Sequence, residues 1–326
     1  EASRWWRPGN HALTPVPGQV GRSDAAQFEH IIAVLRALDY QYGGGACRDA
    51  VLAQAEYVRL ILLSADGGDD VRMRLRLALA DLQNLAGWTS FDIGLLDSAR
   101  NHFGKGLELA KEGRSEPLVA NILYRMGRVY LHNGAPNDAL KIFSLGQIAA
   151  QNSGSELAVA VLCANEAWAY AMMGQREQTM KLLGRTRDEF ARADLDGAET
   201  WVKFFTETDV HAMIGTVHTV LAQEVDTKHT KYAIPALQRA IDSYGDDMAR
   251  SKTFNLSALA TNHLIEGDID HGAKVGRSAV DLAENLTSGR AKDRMRPLKQ
   301  EADKRRNNSQ ARELSDALNK YFDTEA

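Results

Sequence analysis

The sequence predicts an all-α protein, a right-handed solenoid of about six helix pairs closed by a C-terminal capping helix. Three observations carry that expectation. Alanine, the strongest helix former, is the commonest residue, 46 of 326. Pro8, Pro15 and Pro17 cluster at the start, and Pro117, Pro136, Pro235 and Pro297 fall where a helix can begin, in the first turn that tolerates a missing N–H. One pattern of small and large residues also recurs every 40 positions.

Taken in order, residues 1–22 read as an irregular lead-in, with Trp5-Trp6 docking it against the remainder. Phe28, Ile31, Ile32, Leu35 and Leu38 then form a helical stripe after a Ser23-Asp24 cap. Gly43-Gly44-Gly45 stops that helix, and Val51, Leu52, Ala55, Val58 and Leu62 mark the next. The alternation from Arg72 to Leu77 resembles a strand. It runs unbroken into Leu79, Leu82, Leu85 and Ala86 at helical spacing, so a helix is expected. Successive pairs are expected at 23–64, 69–112, 116–152, 155–193, 197–246 and 248–287. Residues 23–287 thus make the repeat domain and 288–326 the capping helices, the last carrying Leu314, Leu318 and Phe322. Arg290 to Arg306 holds eight basic and three acidic residues, and reads as a solvated capping helix.

The repeat explains itself as helix packing. Gly127, Tyr130, Gly134, Ala139 and Phe143 are matched 40 residues on by Ala167, Tyr170, Gly174, Thr179 and Leu183. Forty residues back the same slots hold Gly87, Ser90, Gly94, Ala99 and Phe103. A small residue on the first helix lets the second approach, and a large residue one turn on fills the gap to the neighbour. Leu123, Met126, Gly127, Tyr130, Ala139 and Phe143 resemble the tetratricopeptide repeat, with a period near 40 in place of its ~34. The pattern weakens over 209–243, where about six extra residues near Asp226–Thr230 separate the paired helices.

Composition removes other classes. With 39 basic and 43 acidic side chains and a net charge of -4, the chain is unlike a dedicated nucleic-acid module. The longest apolar run, Leu157 to Ala164, falls far short of the ~18 residues of a membrane span. Only Cys47 and Cys163 are present, so a reducing, cytoplasmic compartment is expected and both read as packing residues. There is no phosphate loop, paired-cysteine zinc spacing, nucleophile elbow or dinucleotide fingerprint. Gly43-Gly44-Gly45 has no strand before it to make a phosphate cradle. His211 and His218, with Glu207, are the best metal candidate, yet interfacial packing explains them better. The expectation is a binding protein: not an enzyme, with no catalytic residue, no metal and no cofactor.

A solenoid of helix pairs presents its first helices on a concave face, a groove for a peptide, a small-molecule signal or a partner protein. Projection of the repeat puts Asp81, Asn84, Trp88, Asn121, Tyr124, Arg128, Asn165 and Trp168 there, as the candidate ligand-binding residues. Asp92, His132, Val161, Met172, Asp209, Thr216, Phe254 and Thr261 extend the same face. Asparagine offers a bound backbone both a donor and an acceptor, and the aromatics offer buried area.

The segments Pro17-Gly18-Gln19-Val20-Gly21, Leu35-Arg36-Ala37-Leu38-Asp39, Gly43-Gly44-Gly45-Ala46, Leu85-Ala86-Gly87-Trp88 and Phe91-Asp92-Ile93-Gly94 carry a resemblance. The chain resembles the C-terminal tetratricopeptide-like region of actinobacterial regulators whose helix-turn-helix domain is of the phage-repressor type. Streptomycete negative regulators of sporulation and antibiotic production are the nearest in character. The resemblance implies a signal-sensing and dimerisation region of a transcription factor, a homodimer that meets DNA only through an N-terminal domain not contained in this chain. The chain begins at Glu1 and reads as a piece of something longer. The alternative is a constitutive scaffold that holds a partner protein in the same groove.

Overall fold

Small residues against large ones decide how the helices pair. In the computed structural model, which describes residues 15–245, 248–286 and 289–323, the side chain of Phe103 lies where a Cβ on Gly87 would sit, 2.8 Å away. Phe143 crowds Gly127 in the same way 40 residues later, and both phenylalanines are fully buried. Glycine is therefore required at these two positions by the closeness of the neighbouring helix. At the turns the requirement is conformational. Gly94, Gly134 and Gly174 have φ of 83°, 69° and 69°, a region that side-chain-bearing residues rarely adopt. The 40-residue spacing is the spacing of these turns.

The described residues are helical, with no β-strand among them and one isolated bridge joining Gln19 to Asp66. The helices are α1 (Arg22–Tyr42), α2 (Arg48–Ser64), α3 (Asp69–Asp92), α4 (Leu96–Glu112), α5 (Glu116–His132), α6 (Pro136–Asn152) and α7 (Glu156–Met172). They continue as α8 (Arg176–Arg192), α9 (Glu207–Glu224), α10 (Thr230–Ser243), α11 (Ala249–Glu266), α12 (Ile269–Ala283), α13 (Gly289–Asp303) and α14 (Ser309–Asp323). From α3 onward, odd and even helices pack in consecutive pairs, and each pair rests on the next. The strand-like alternation of Arg72–Leu77 lies inside α3. No helix is long and apolar enough to cross a membrane among the described residues.

Several local expectations are corrected. Helix α1 starts at Arg22 with Gly21 as its cap, the Gly21 N–H donating to Asp24 Oδ2 at 2.7 Å; Ser23 is already inside. Pro117 and Pro136 do sit in first turns, whereas Pro235 and Pro297 lie within α10 and α13. Neighbouring packing holds those helices despite the lost backbone bond. The fifth pair begins at Glu207, ten residues later than expected, because residues 193–206 form an irregular segment. The expected docking of Trp5-Trp6 lies outside the described residues.

Early and late helices are tied together. Helix α1 touches α11, and Arg290 of α13 donates to the carboxylate of Asp92 at the end of α3. Asp92 also accepts the Gly44 N–H at 2.7 Å, and Arg250 of α11 stands 3.5 Å from Asp39 and 3.8 Å from Asp92. In the Gly43–Gly45 turn the Gly44 amide is thus held by Asp92 and that of Gly43 by the Asp39 carbonyl.

Candidate functional site

The inner ends of α3, α5, α7, α9, α11 and α13 surround one cavity of about 690 Å³. That volume falls in the range of small-molecule sites. Residues 193–206 form part of its wall. Their Phe204 stacks on Tyr124, with ring centroids 6.0 Å apart, and also meets Tyr40 at 6.4 Å; Trp201 meets Tyr124 from beside it. The open, extended groove expected from the repeat is narrowed by the protein's own chain into a bounded chamber.

Of the eight candidate residues, Trp88, Tyr124, Arg128 and Asn165 line the cavity, joined by Val161, Asp209, Thr216 and Phe254. Asn165 donates to the Val161 carbonyl at 2.7 Å and accepts from Arg128 at 3.4 Å, which aims the guanidinium inward. Trp168 is buried beneath that wall. The remaining three lie elsewhere. Asp81 grips Arg36 through two bonds of 2.6 and 2.7 Å and lines a second, smaller hollow. Asn84 and Asn121 are fully buried between helices, and the Asn84 carbonyl accepts from Arg125 at 3.4 Å. Helix rotation accounts for the difference: α3 is buried nearly all round from Leu85 to Asp92, so it shows the cavity little besides Trp88.

An aromatic chain runs from the cavity lining at Trp88 into the interior behind it. Trp88, Phe91, His132 and Trp168 form a chain with successive centroid separations of 5.7, 5.5 and 5.5 Å. Each tryptophan carries two guanidiniums. Arg290 and Arg125 lie 4.2 and 5.3 Å from the Trp88 ring centre, while Arg294 and Arg128 lie 4.5 and 5.2 Å from that of Trp168. Cation–π contact stabilises such groups by about 0.5–2 kcal/mol each, well short of what burying a charge costs. Burial pushes Arg294 down to about 9, and Arg128 and Arg290 push it further the same way. His132 is held neutral: burial first, then the three nearby arginines, lower its pKa well below the ordinary value.

Arginines 125, 250, 290 and 294 were not legible as site residues. Arg290 and Arg294 belong to the stretch expected to be a solvated face, and this is a correction: Arg290 is 4% exposed and both turn inward. One signal was available. On α13 they flank the apolar stripe Ala291, Met295, Leu298 and Ala302, so they border its buried face.

The other chemical candidates resolve into packing. His218 Nδ1 meets His229 Nδ1 at 2.9 Å, and His211 stands 3.9 Å from Glu207, so the two candidate ligands face different partners. No group of three metal-ligating side chains occurs among the described residues. Burial pushes the Cys47 thiol up to about 12 and that of Cys163 up to about 11, which keeps both protonated. A scan against protein-family models matches none, and a search of curated proteins finds no match.

Proposed function

We propose that this chain is a sensor region that binds a small ligand in the central cavity, within a right-handed solenoid of about six tetratricopeptide-like pairs. The observation that carries the reading is the construction of the chamber: helices from α1 to α13, together with the 193–206 segment, contribute to one wall. An occupant would touch them all at once. Any difference in its affinity for two arrangements of those helices would shift their balance. The resemblance of residues 17–94 to regulators supports the further step, that the response passes to a DNA-binding domain carried elsewhere and to a homodimer. Phe204 and Phe205 of the 193–206 segment line the chamber, which favours a small occupant over a partner protein laid along it.

Tryptophan emission tests the reading, because Trp88 lines the chamber, and Trp168 and Trp201 lie behind its wall against Arg128 and Tyr124. A screen of small metabolites should yield a saturable change in emission together with a higher melting temperature, worth about 2.7 kcal/mol at a hundredfold excess over Kd. A screen in which stabilising compounds leave emission of Trp88→Phe and wild type equally unchanged would contradict it.

A further inference from the structure

Charge around the cavity does not balance. Five guanidiniums line it: Arg125, Arg128, Arg250, Arg290 and Arg294. Asp92 and Asp39 face Arg290 and Arg250 from behind the wall. Asp209 is the remaining carboxylate on the lining, and it is already held by the Thr206 hydroxyl and amide and by Tyr244. Burial raises its pKa against the opposing effect of those hydrogen bonds. Arg125, Arg128 and Arg294 have no carboxylate within ion-pair distance among the described residues. Arg125 is 5% exposed, and its one side-chain hydrogen bond is to the Asn84 carbonyl.

We infer that the ligand is an organic anion: an oxyanion headgroup seated on Arg125, Arg128 and Arg294, attached to an aromatic or apolar body that lies along Tyr124, Phe204 and Phe254. The inference rests on the proposed ligand-binding reading and adds the chemical class. Three features argue for it. A guanidinium presents a planar fork of donors that matches an oxyanion, carboxylate or phosphate, through paired bonds. Stacking on Trp88 and Trp168 fixes the orientation of those forks before anything binds, which lowers the entropy cost of capture. An uncompensated buried cation destabilises the empty protein, so an anion gains more here than at an exposed arginine. A cationic ligand meets repulsion, and a neutral one leaves the donors unmatched.

Two fluorescent probes with the same aromatic body isolate the charge: 8-anilinonaphthalene-1-sulfonate and the neutral N-phenyl-1-naphthylamine. The sulfonate should bind at least about tenfold more tightly to the intact chain, with energy transfer from Trp168 absent in Trp168→Phe. In Arg294→Met and Arg128→Gln that preference should vanish while binding of the neutral probe persists. Benzoate and phenyl phosphate as displacing agents then tell a carboxylate headgroup from a phosphate, whichever displaces at lower concentration. Equal affinity for the two probes on wild type, which needs no variant to fold, overturns the anion inference and leaves the cavity reading intact. If neither probe receives energy from Trp168, the cavity reading itself fails and the inference falls with it. A melting temperature raised in the empty Arg294→Met protein further supports the assignment; a lowered one, with the probe preference kept, overturns it.

Discussion

A buried histidine pair and a glycine under a ring make the residue-scale account testable. His218 is 3% exposed, and burial, then His229, lowers its pKa from 6.5 to about 4. The folded protein therefore binds fewer protons than the unfolded chain between those values. Its contribution is intact above pH 6.5 and is lost as pH falls toward 4, by up to about 3 kcal/mol. Urea titrations across that window should show a falling midpoint, and His218→Gln should flatten the slope. Gly127→Ala adds a methyl into Phe143, so its helix-propensity gain of about 1 kcal/mol is outweighed by about 1–3 kcal/mol of overpacking. Phe143→Ala should cost about 3–5 kcal/mol, since the ring is fully buried. Gly127 and Phe143 were legible in the sequence because they lie within one repeat, whereas the pairing of His218 with His229 was not. Local spacing was enough to reveal Gly127 against Phe143 and the turn glycines at 94, 134 and 174.

At the scale of elements, legibility ends where periodicity ends. Helices α3 to α8 keep one period, and their inner residues Trp88, Tyr124, Arg128 and Asn165, expected on the concave face, line the cavity. The 193–206 segment has no period. Nothing in its sequence announces that Phe204 will stack on Tyr124, 80 residues away along the chain. Charge alone points α13 to solvent, whereas the arginines bordering its apolar stripe turn inward. The segment gives an element-level prediction. Phe204→Ala should enlarge the chamber mouth and speed both entry and release of the naphthalene probes in stopped-flow traces, with a smaller change in equilibrium affinity. Unchanged rates would mean that Phe204 does not border the ligand's path.

At the scale of the molecule, closure is the decisive feature, and it is a contact between residues 198 positions apart: Arg290 with Asp92. No local pattern encodes such a contact, although the apolar stripes of α11 and α13 that bring it about are visible. Asp92 is fully buried, and Arg290 and then Arg250 hold its carboxyl below the usual range against the opposing effect of burial. Asp92→Asn strands the buried Arg290 and leaves Arg250 with Asp39 alone, so a loss of about 3–5 kcal/mol is expected. If early and late helices are joined chiefly here, hydrogen exchange in α13 and α1 should accelerate together in that variant, while α5 and α6 keep their protection. Acceleration in α13 alone would show that α1 is held by other contacts.

The central claim is that the chamber enclosed by this closure holds an anion. Crystals soaked with 4-bromobenzoate, and in parallel with 4-bromophenyl phosphate, allow bromine to be located by its anomalous signal. The account predicts a bromine peak between Tyr124, Phe204 and Phe254, with the headgroup oxygens within about 3.2 Å of Arg125, Arg128 or Arg294 nitrogens. Bromine found only on the outer surface, in crystals where the chamber is open to solvent, would contradict it.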